Sequence, residues 1–268
     1  MSPPTSDTTP EGRGPVVVLA GSGDTTDIVA HYLAARVDDL VVIVEAAPSR
    51  RRMARRRAER IGWPTVVGQV LFAAGALPVM RRRGAGRIRT IVAESGLDPS
   101  PFRVDHHVGS VNAPETIALL AALQPSVVVV QGTRIISSEV LTSVACPFIN
   151  THAGITPRYR GVHGGYWALS EGRPDLVGTT VHLVDTGIDT GGILAQATFA
   201  VTPDDNVATY PYLHLVAGLP HLAAQVRRVL DGEPLVELVD PSAEGVTRLY
   251  LHPTLWGYVA TRWSRGVA

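Results

Sequence analysis

The stretch Phe148-Ile-Asn-Thr-His-Ala-Gly-Ile-Thr-Pro-Arg-Tyr-Arg-Gly161 carries the reading of the fold, because it sets an amide and an imidazole two residues apart at the end of an apolar run. Residues 127–130 and 146–149 are short, β-rich apolar runs of the kind that form buried strands in α/β proteins. Alternation along an extended chain points Asn150 and His152 the same way, into the crevice beyond the carboxyl ends of the strands where α/β enzymes hold their chemistry. Pro157 and Gly161 then predict that the chain leaves the sheet as a loop, without regular strand or helix.

A second cluster, His182-Leu-Val-Asp-Thr-Gly-Ile-Asp-Thr-Gly-Gly192, follows the strand-like residues 178–183. Its Asp and Gly residues describe a tight polar loop with two carboxylates, Asp185 and Asp189. Toward the N-terminus, residues 15–20 read as the first strand, Gly21-Ser-Gly-Asp24 opens a turn, residues 28–35 carry a helical pattern and 41–45 make a second strand. That succession opens a Rossmann-like unit. Thr26 stands where the third glycine of a dinucleotide fingerprint belongs, so a nicotinamide cofactor is not expected.

On Asn150-x-His152, Pro157, Gly161 and Asp189 the chain resembles the folate-dependent formyltransferases, which include glycinamide ribonucleotide transformylase, methionyl-tRNA formyltransferase and the sugar N-formyltransferases. The likeness is strong over 105–196 and weaker over 16–31; Gly154-Ile-Thr-Pro157 replaces the family's usual Ser-Leu-Leu-Pro. The resemblance implies an α/β fold with a Rossmann-like, mostly parallel sheet of the formyltransferase type and a short C-terminal extension. It implies 10-formyltetrahydrofolate as formyl donor and Asn150, His152 and Asp189 as the catalytic trio. Arg134, Ile135 and Ile136 would border the pterin slot through their backbone, with Val184, Asp185 and Gly187 as further donor-binding positions. From its place in the loop, Asp185 reads rather as a loop-capping residue. The turn Gly21, Ser22, Gly23, Asp24 would meet the acceptor, although the Asp24 carboxylate suits a hydroxyl or ammonium better than a phosphate.

Composition bounds the rest. A chain of 268 residues with 45% hydrophobic and 18% charged residues can bury a sizeable core. Its 24 acidic and 24 basic residues balance, which offers no global electrostatic case for nucleic acid or an anionic membrane. Every basic residue is Arg, so lysine Schiff-base chemistry and a P-loop lysine are excluded. The single Cys146, in an apolar run, reads as a structural thiol, and the cysteine count suggests a reducing, cytoplasmic setting. Residues 1–14 show no signal peptide and are expected as a disordered tail.

Two Arg-rich segments, 49–60 and 81–89, flank the apolar stretch 65–80. They read either as solvated faces beside a buried helix or as a variable region gripping an anionic acceptor. The stretch 65–80 falls short of the ~20 residues of a spanning helix and contains Pro78. Asp105-His106-His107 lacks the companion motifs of the metal-dependent phosphoesterases it is similar to, so no metal site is expected. Residues 15–200 read as the catalytic domain. Residues 201–268 read as an extension with a helical segment 209–230 interrupted by Pro211 and Pro220, a strand at 235–239, and an aromatic end suited to capping the sheet or forming a homodimer contact.

Formyl transfer to an amine needs an oxyanion donor and a route for the amine proton. Asn150 supplies an N–H that never titrates, His152 donates or shuttles a proton, and Asp189 tunes His152 and accepts the proton. The expected function is N-formylation of a small-molecule primary amine, an amino sugar on a nucleotide or an amino acid or peptide intermediate. Hydrolysis of the same folate and non-catalytic folate binding are the alternatives.

Overall fold

The β-branched runs assemble into one sheet. The computed structural model describes residues 13–238 and 248–267, without the side chains of Arg50 and Arg52. Its strands are β1 (Val16–Gly21), β2 (Leu40–Glu45), β3 (His106–Val108), β4 (Val127–Gln131), β5 (Phe148–His152), β6 (Tyr159–Gly161), β7 (Gly178–Leu183), β8 (Ile193–Thr198) and β9 (Arg248–Tyr250). Its α-helices are α1 (Asp24–Ala34), α2 (Arg50–Ile61), α3 (Trp63–Leu71), α4 (Leu77–Glu94), α5 (Pro114–Leu123), α6 (Ser138–Leu141), α7 (Gly164–Ser170), α8 (Tyr210–Leu230) and α9 (Leu255–Arg265).

Seven strands run in the order β3-β2-β1-β4-β5-β7-β8, parallel from β3 through β5 and antiparallel from β5 to β8. The strand order reverses between β1 and β4, so the crevice beyond their carboxyl ends is a topological switch point. Alternate residues of β1 enter two cores. Val16, Val18 and Ala20 pack with Ile28 and Leu33 of α1 and with Leu215, Leu219 and Leu222 of α8; Val17 and Leu19 pack with Ile43, Leu120 and Val140 on the opposite face. Both faces are covered, which is why these strands read as unbroken apolar runs.

Several expectations change. Asn150 and His152 lie inside β5, which extends to His152, and not beyond its end. Gly161 closes the short strand β6, which pairs with β9, and its φ of 96° and the approach of the Tyr250 carbonyl leave no room for a Cβ. Pro211 sits in the first turn of α8 and Pro220 within it, so neither interrupts the helix; one missing backbone donor is tolerated because Leu215, Leu219, Leu222 and Val226 anchor the same face. Through this packing α8 shares the core of the sheet. Residues 235–238 form no strand, Leu238 making one backbone bond to Ile193, and position 239 lies outside the described residues, as do 1–12.

The apolar stretch 65–80 is not a buried helix. It belongs to α3, a π-helical turn (Phe72–Ala76) and the start of α4, with Pro78 accommodated in the first turn of α4. Val66, Phe72 and Met80 face inward, but Val67, Val70, Leu71 and Val79 face solvent. Cys146 is half-buried, and burial pushes its thiol up to about 11, as suits a structural thiol.

Candidate active site

The carboxyl ends of β1, β4 and β5 lie side by side, with Ala20 beside Gln131 and Val130 beside Asn150. Antiparallel β7 then sets His182 directly opposite Asn150. Such cross-strand neighbours share a face of the sheet. The Asn150 amide Nδ2 lies 3.1 Å from His182 Nε2, and His182 Nδ1 lies 2.6 Å from the Leu183 carbonyl. A carbonyl can only accept, so Nδ1 carries the hydrogen and Nε2 accepts from the amide. Burial pushes the His182 pKa below its ordinary value, which keeps this neutral tautomer in place. The Asn150 amide is thereby oriented with its nitrogen fixed and a second N–H beyond the one given to His182. His182 therefore belongs to the site; only its role as neighbour across the sheet could have announced it.

His152 is buried, and its Nε2 donates to the Tyr159 carbonyl at 2.7 Å. Its Nδ1 faces Asp189 Oδ1 at 3.4 Å, and the same oxygen lies 3.7 Å from His182 Nε2. Asp189 Oδ2 accepts from the Gly161 amide at 2.7 Å. The loop after β5 thus folds back on its own histidine, the Tyr159 carbonyl and Gly161 N–H binding one member of the pair each. Asp189 has φ 52°, the left-handed conformation that Asp tolerates better than most residues and that recurs where geometry serves function. This arrangement assigns His152 to Asp189. Nε2 is thus bonded to Tyr159 while Nδ1 faces Asp189, so both ring nitrogens of His152 are engaged within the protein.

A prediction follows at Gly154, where a Cβ would stand 2.5 Å from the Tyr159 carbonyl oxygen and 2.8 Å from His152 Nε2. Gly154→Ala must displace one or both and is expected to lower turnover about a hundredfold, as an ångström-scale misplacement does. Steady-state kinetics with a melting curve check this; unchanged kcat would show that the bond is dispensable.

The other expected positions divide. Asp185 accepts from Gly187 N–H at 3.0 Å and Thr190 Oγ1 at 2.7 Å, the geometry of a loop cap, while the backbone of Val184 donates to Phe148. Arg134 turns toward the carboxyl end of β2: its backbone N–H and its side chain both engage buried Glu45, and Nη2 donates to the Ala46 carbonyl. The Ile135 carbonyl is taken by Asn112, Ile135 itself is exposed, and Ile136 is core. These contacts rigidify the turn after β4; only the Ile135 side chain is presented outward. At the first turn, Gly21, Ser22 and Gly23 lead into α1, and Asp24 is bound by Arg81 at 2.8 Å and by the Tyr212 hydroxyl. The paired carboxylate no longer opposes an anion as a bare one would. Asp105 bonds the Val42 amide, and His106 and His107 lie exposed on edge strand β3.

Together, a doubly wound sheet gathers an amide, two imidazoles and a carboxylate where β5 meets antiparallel β7, one strand beyond its switch point, and these are groups that can donate, accept and move a proton. The formyl transferase family profile matches residues 16–212, and the chain belongs to this family. Methionyl-tRNA formyltransferase of Caldanaerobacter subterraneus is 32% identical over 127 residues, covering 47% of this chain and 41% of that protein. The chain thus matches about two fifths of the length of such curated relatives. Glycinamide ribonucleotide transformylase 1 from Symbiobacterium toebii shares the fold with TM-score 0.55 at 20% identity, over 84% of this chain and 92% of that one. An N-formyltransferase from Helicobacter canadensis, solved with folinic acid and dTDP-3-aminofucose, aligns with TM-score 0.51 at 14% identity, over 87% and 71% of the two chains.

Proposed function

We propose that this chain transfers a formyl group from 10-formyltetrahydrofolate to a primary amine of a small molecule, with an amino sugar carried on a nucleotide as the first acceptor class to test. The observation that carries the reading is the convergence of Asn150, His182, His152 and Asp189 at one strand edge. The fold shared with the H. canadensis protein supports the acceptor class.

The residues divide the work. The Asn150 N–H donates to the formyl oxygen as the amine nitrogen attacks the formyl carbon, and one such donor is worth about 3 to 4 kcal/mol. Asp189, backed by His152, takes the proton that the amine must lose. As the carbon–N10 bond breaks, that proton is returned to N10, so the new amide forms without net proton change. Exposed Ile135 and the 184–190 loop are the elements this reading assigns to the folate.

Tetrahydrofolate release is the assay. Turnover should require an amine acceptor, and Asn150→Ala should cut kcat by about 10²- to 10³-fold with little change in KM for the folate. Acceptor-independent release would instead establish the hydrolase, and folate binding without release would establish a binding protein.

A further inference from the structure

Charge in this chain balances globally and is strongly polarised locally. Residues 49–94 hold twelve Arg against two Glu and no Asp, a formal +10 in a chain that sums to zero. Arg51, Arg55, Arg56 and Arg60 of α2 and Arg82 and Arg83 of α4 are exposed. Between these basic ends there is no charged residue from Ile61 to Met80.

That uncharged run presents a ridge to solvent. Trp63 is 60% exposed, Val67 48%, Val70 52% and Leu71 46%, at helical spacing along one side of α3. The ridge continues onto α9. Trp256 occupies the space left by Gly68, whose Cβ would come within 2.4 Å of the Trp256 ring, and Trp256, Val259 and Trp263 line the outer side of that helix. Three of the four Trp of the chain are therefore exposed on α3 and α9, two helices that pack against each other.

We propose that this face, formed by α2, α3, the start of α4 and α9, docks on an anionic lipid surface. Tryptophans and aliphatic side chains on one side, with arginines beside them, are the composition of a helix lying in the headgroup boundary. A second copy of the chain is disfavoured because a self-complementary contact would bring like charges together. A nucleic acid is disfavoured because its sites interleave cations with stacking aromatics along a groove, whereas the α3 part of this ridge is uncharged and mainly aliphatic (Val67, Val70, Leu71), and arginines flank a tryptophan in sequence only at Arg262 and Arg265 beside Trp263. The helical run Trp63–Glu94 has the length and apolarity to cross a membrane. It is nonetheless held in plane: Val66, Phe72 and Met80 are buried, Phe72 packs on Tyr258, and Gln69 donates to the His252 carbonyl. This docking does not depend on which amine is formylated.

The test uses the full chain with vesicles of phosphatidylglycerol and phosphatidylcholine in equal parts, and with pure phosphatidylcholine. Cosedimentation with the anionic vesicles, weakened by salt, and a blue shift of tryptophan emission are expected. Arg51→Gln/Arg56→Gln/Arg60→Gln should weaken binding about a hundredfold, from roughly a factor of five per arginine. Trp63→Ser/Trp263→Ser should weaken binding and leave only the smaller blue shift contributed by Trp256, with the melting curve in place, since both replaced side chains are exposed. Absence of binding to anionic vesicles, or equal binding to neutral ones, overturns the proposal. So does a dimer in sedimentation velocity that the Trp variant dissociates while vesicles are not bound, or binding of a transfer-RNA mixture without vesicle binding.

Discussion

Asp189→Asn is expected to lower kcat by about three orders of magnitude, the middle of the range a positioned acid–base group contributes, while the protein melts within a few degrees of the parent. Asn is the replacement that isolates the charge. Its side-chain oxygen can still accept from the Gly161 amide, and Asn tolerates the φ of 52° found at this position. What disappears is the negative charge 3.4 Å from His152 Nδ1 and 3.7 Å from His182 Nε2. An amide can neither take the amine proton nor stabilise an imidazolium at His152. Single-turnover measurements with saturating folate and acceptor separate this chemical loss from any loss of binding. A rate within tenfold of the parent would remove Asp189 from the proton path and leave Asn150 as the principal source of catalysis.

A second large effect is acid unfolding at mildly acidic pH. Burial holds His163 at about 3, His214 at about 3 and His252 at about 4; the neighbouring imidazole of His252 adds to the shift of His163. His163 and His252 lie 3.0 Å apart, ring nitrogen to ring nitrogen, and His214 is packed edge-on against Phe199. All three pKa values are lower in the folded chain than in the unfolded one. The stability these residues contribute is therefore complete above about pH 6.5 and is lost as pH falls toward the folded values, because the unfolded chain takes up protons that the native chain refuses. With three such groups the slope approaches about 4 kcal/mol per pH unit in the middle of that window. Urea midpoints measured at steps from pH 7.5 to 4.5 should fall steeply below pH 6. Stability that stays level from pH 7 to 5 would mean that these imidazoles are hydrated and charged in the native state.

Much of the site was visible in the chain because its members are local in sequence. Asn150, His152 and Gly161 lie on one segment, and the Asp-Gly loop announces Asp189 by its composition. In the sequence His182 reads only as the end of a strand-like run, because its importance depends on a strand pairing. Only the antiparallel register of β5 and β7 puts it opposite Asn150, and an apolar run does not reveal its partner or direction. The same limit explains His152: its spacing to Asn150 is legible, but the return of the Tyr159 carbonyl to its Nε2 is a property of the folded loop. Asp24 likewise reads in the sequence as a carboxylate that would repel an anion, and its pairing with Arg81, far along the chain, is set by the fold. Pro220 reads locally as a break because a proline costs a hydrogen bond, while the packing that outweighs this cost is spread over the whole of α8.

The sequence by itself determined the strand–turn–helix opening, the two buried strands β4 and β5, and the residue types gathered at the site. These follow from side-chain periodicity and from the fixed hydrogen-bonding and ionisation properties of each residue. Tertiary structure alone decided which nitrogen of each histidine is committed, which residue orients the Asn150 amide, and that the apolar stretch 65–80 turns half of itself to solvent beside a field of arginines. Periodicity reports which residues share a face, and composition reports total charge. Neither says what covers that face or where the charge collects, because both depend on contacts between segments distant in the chain.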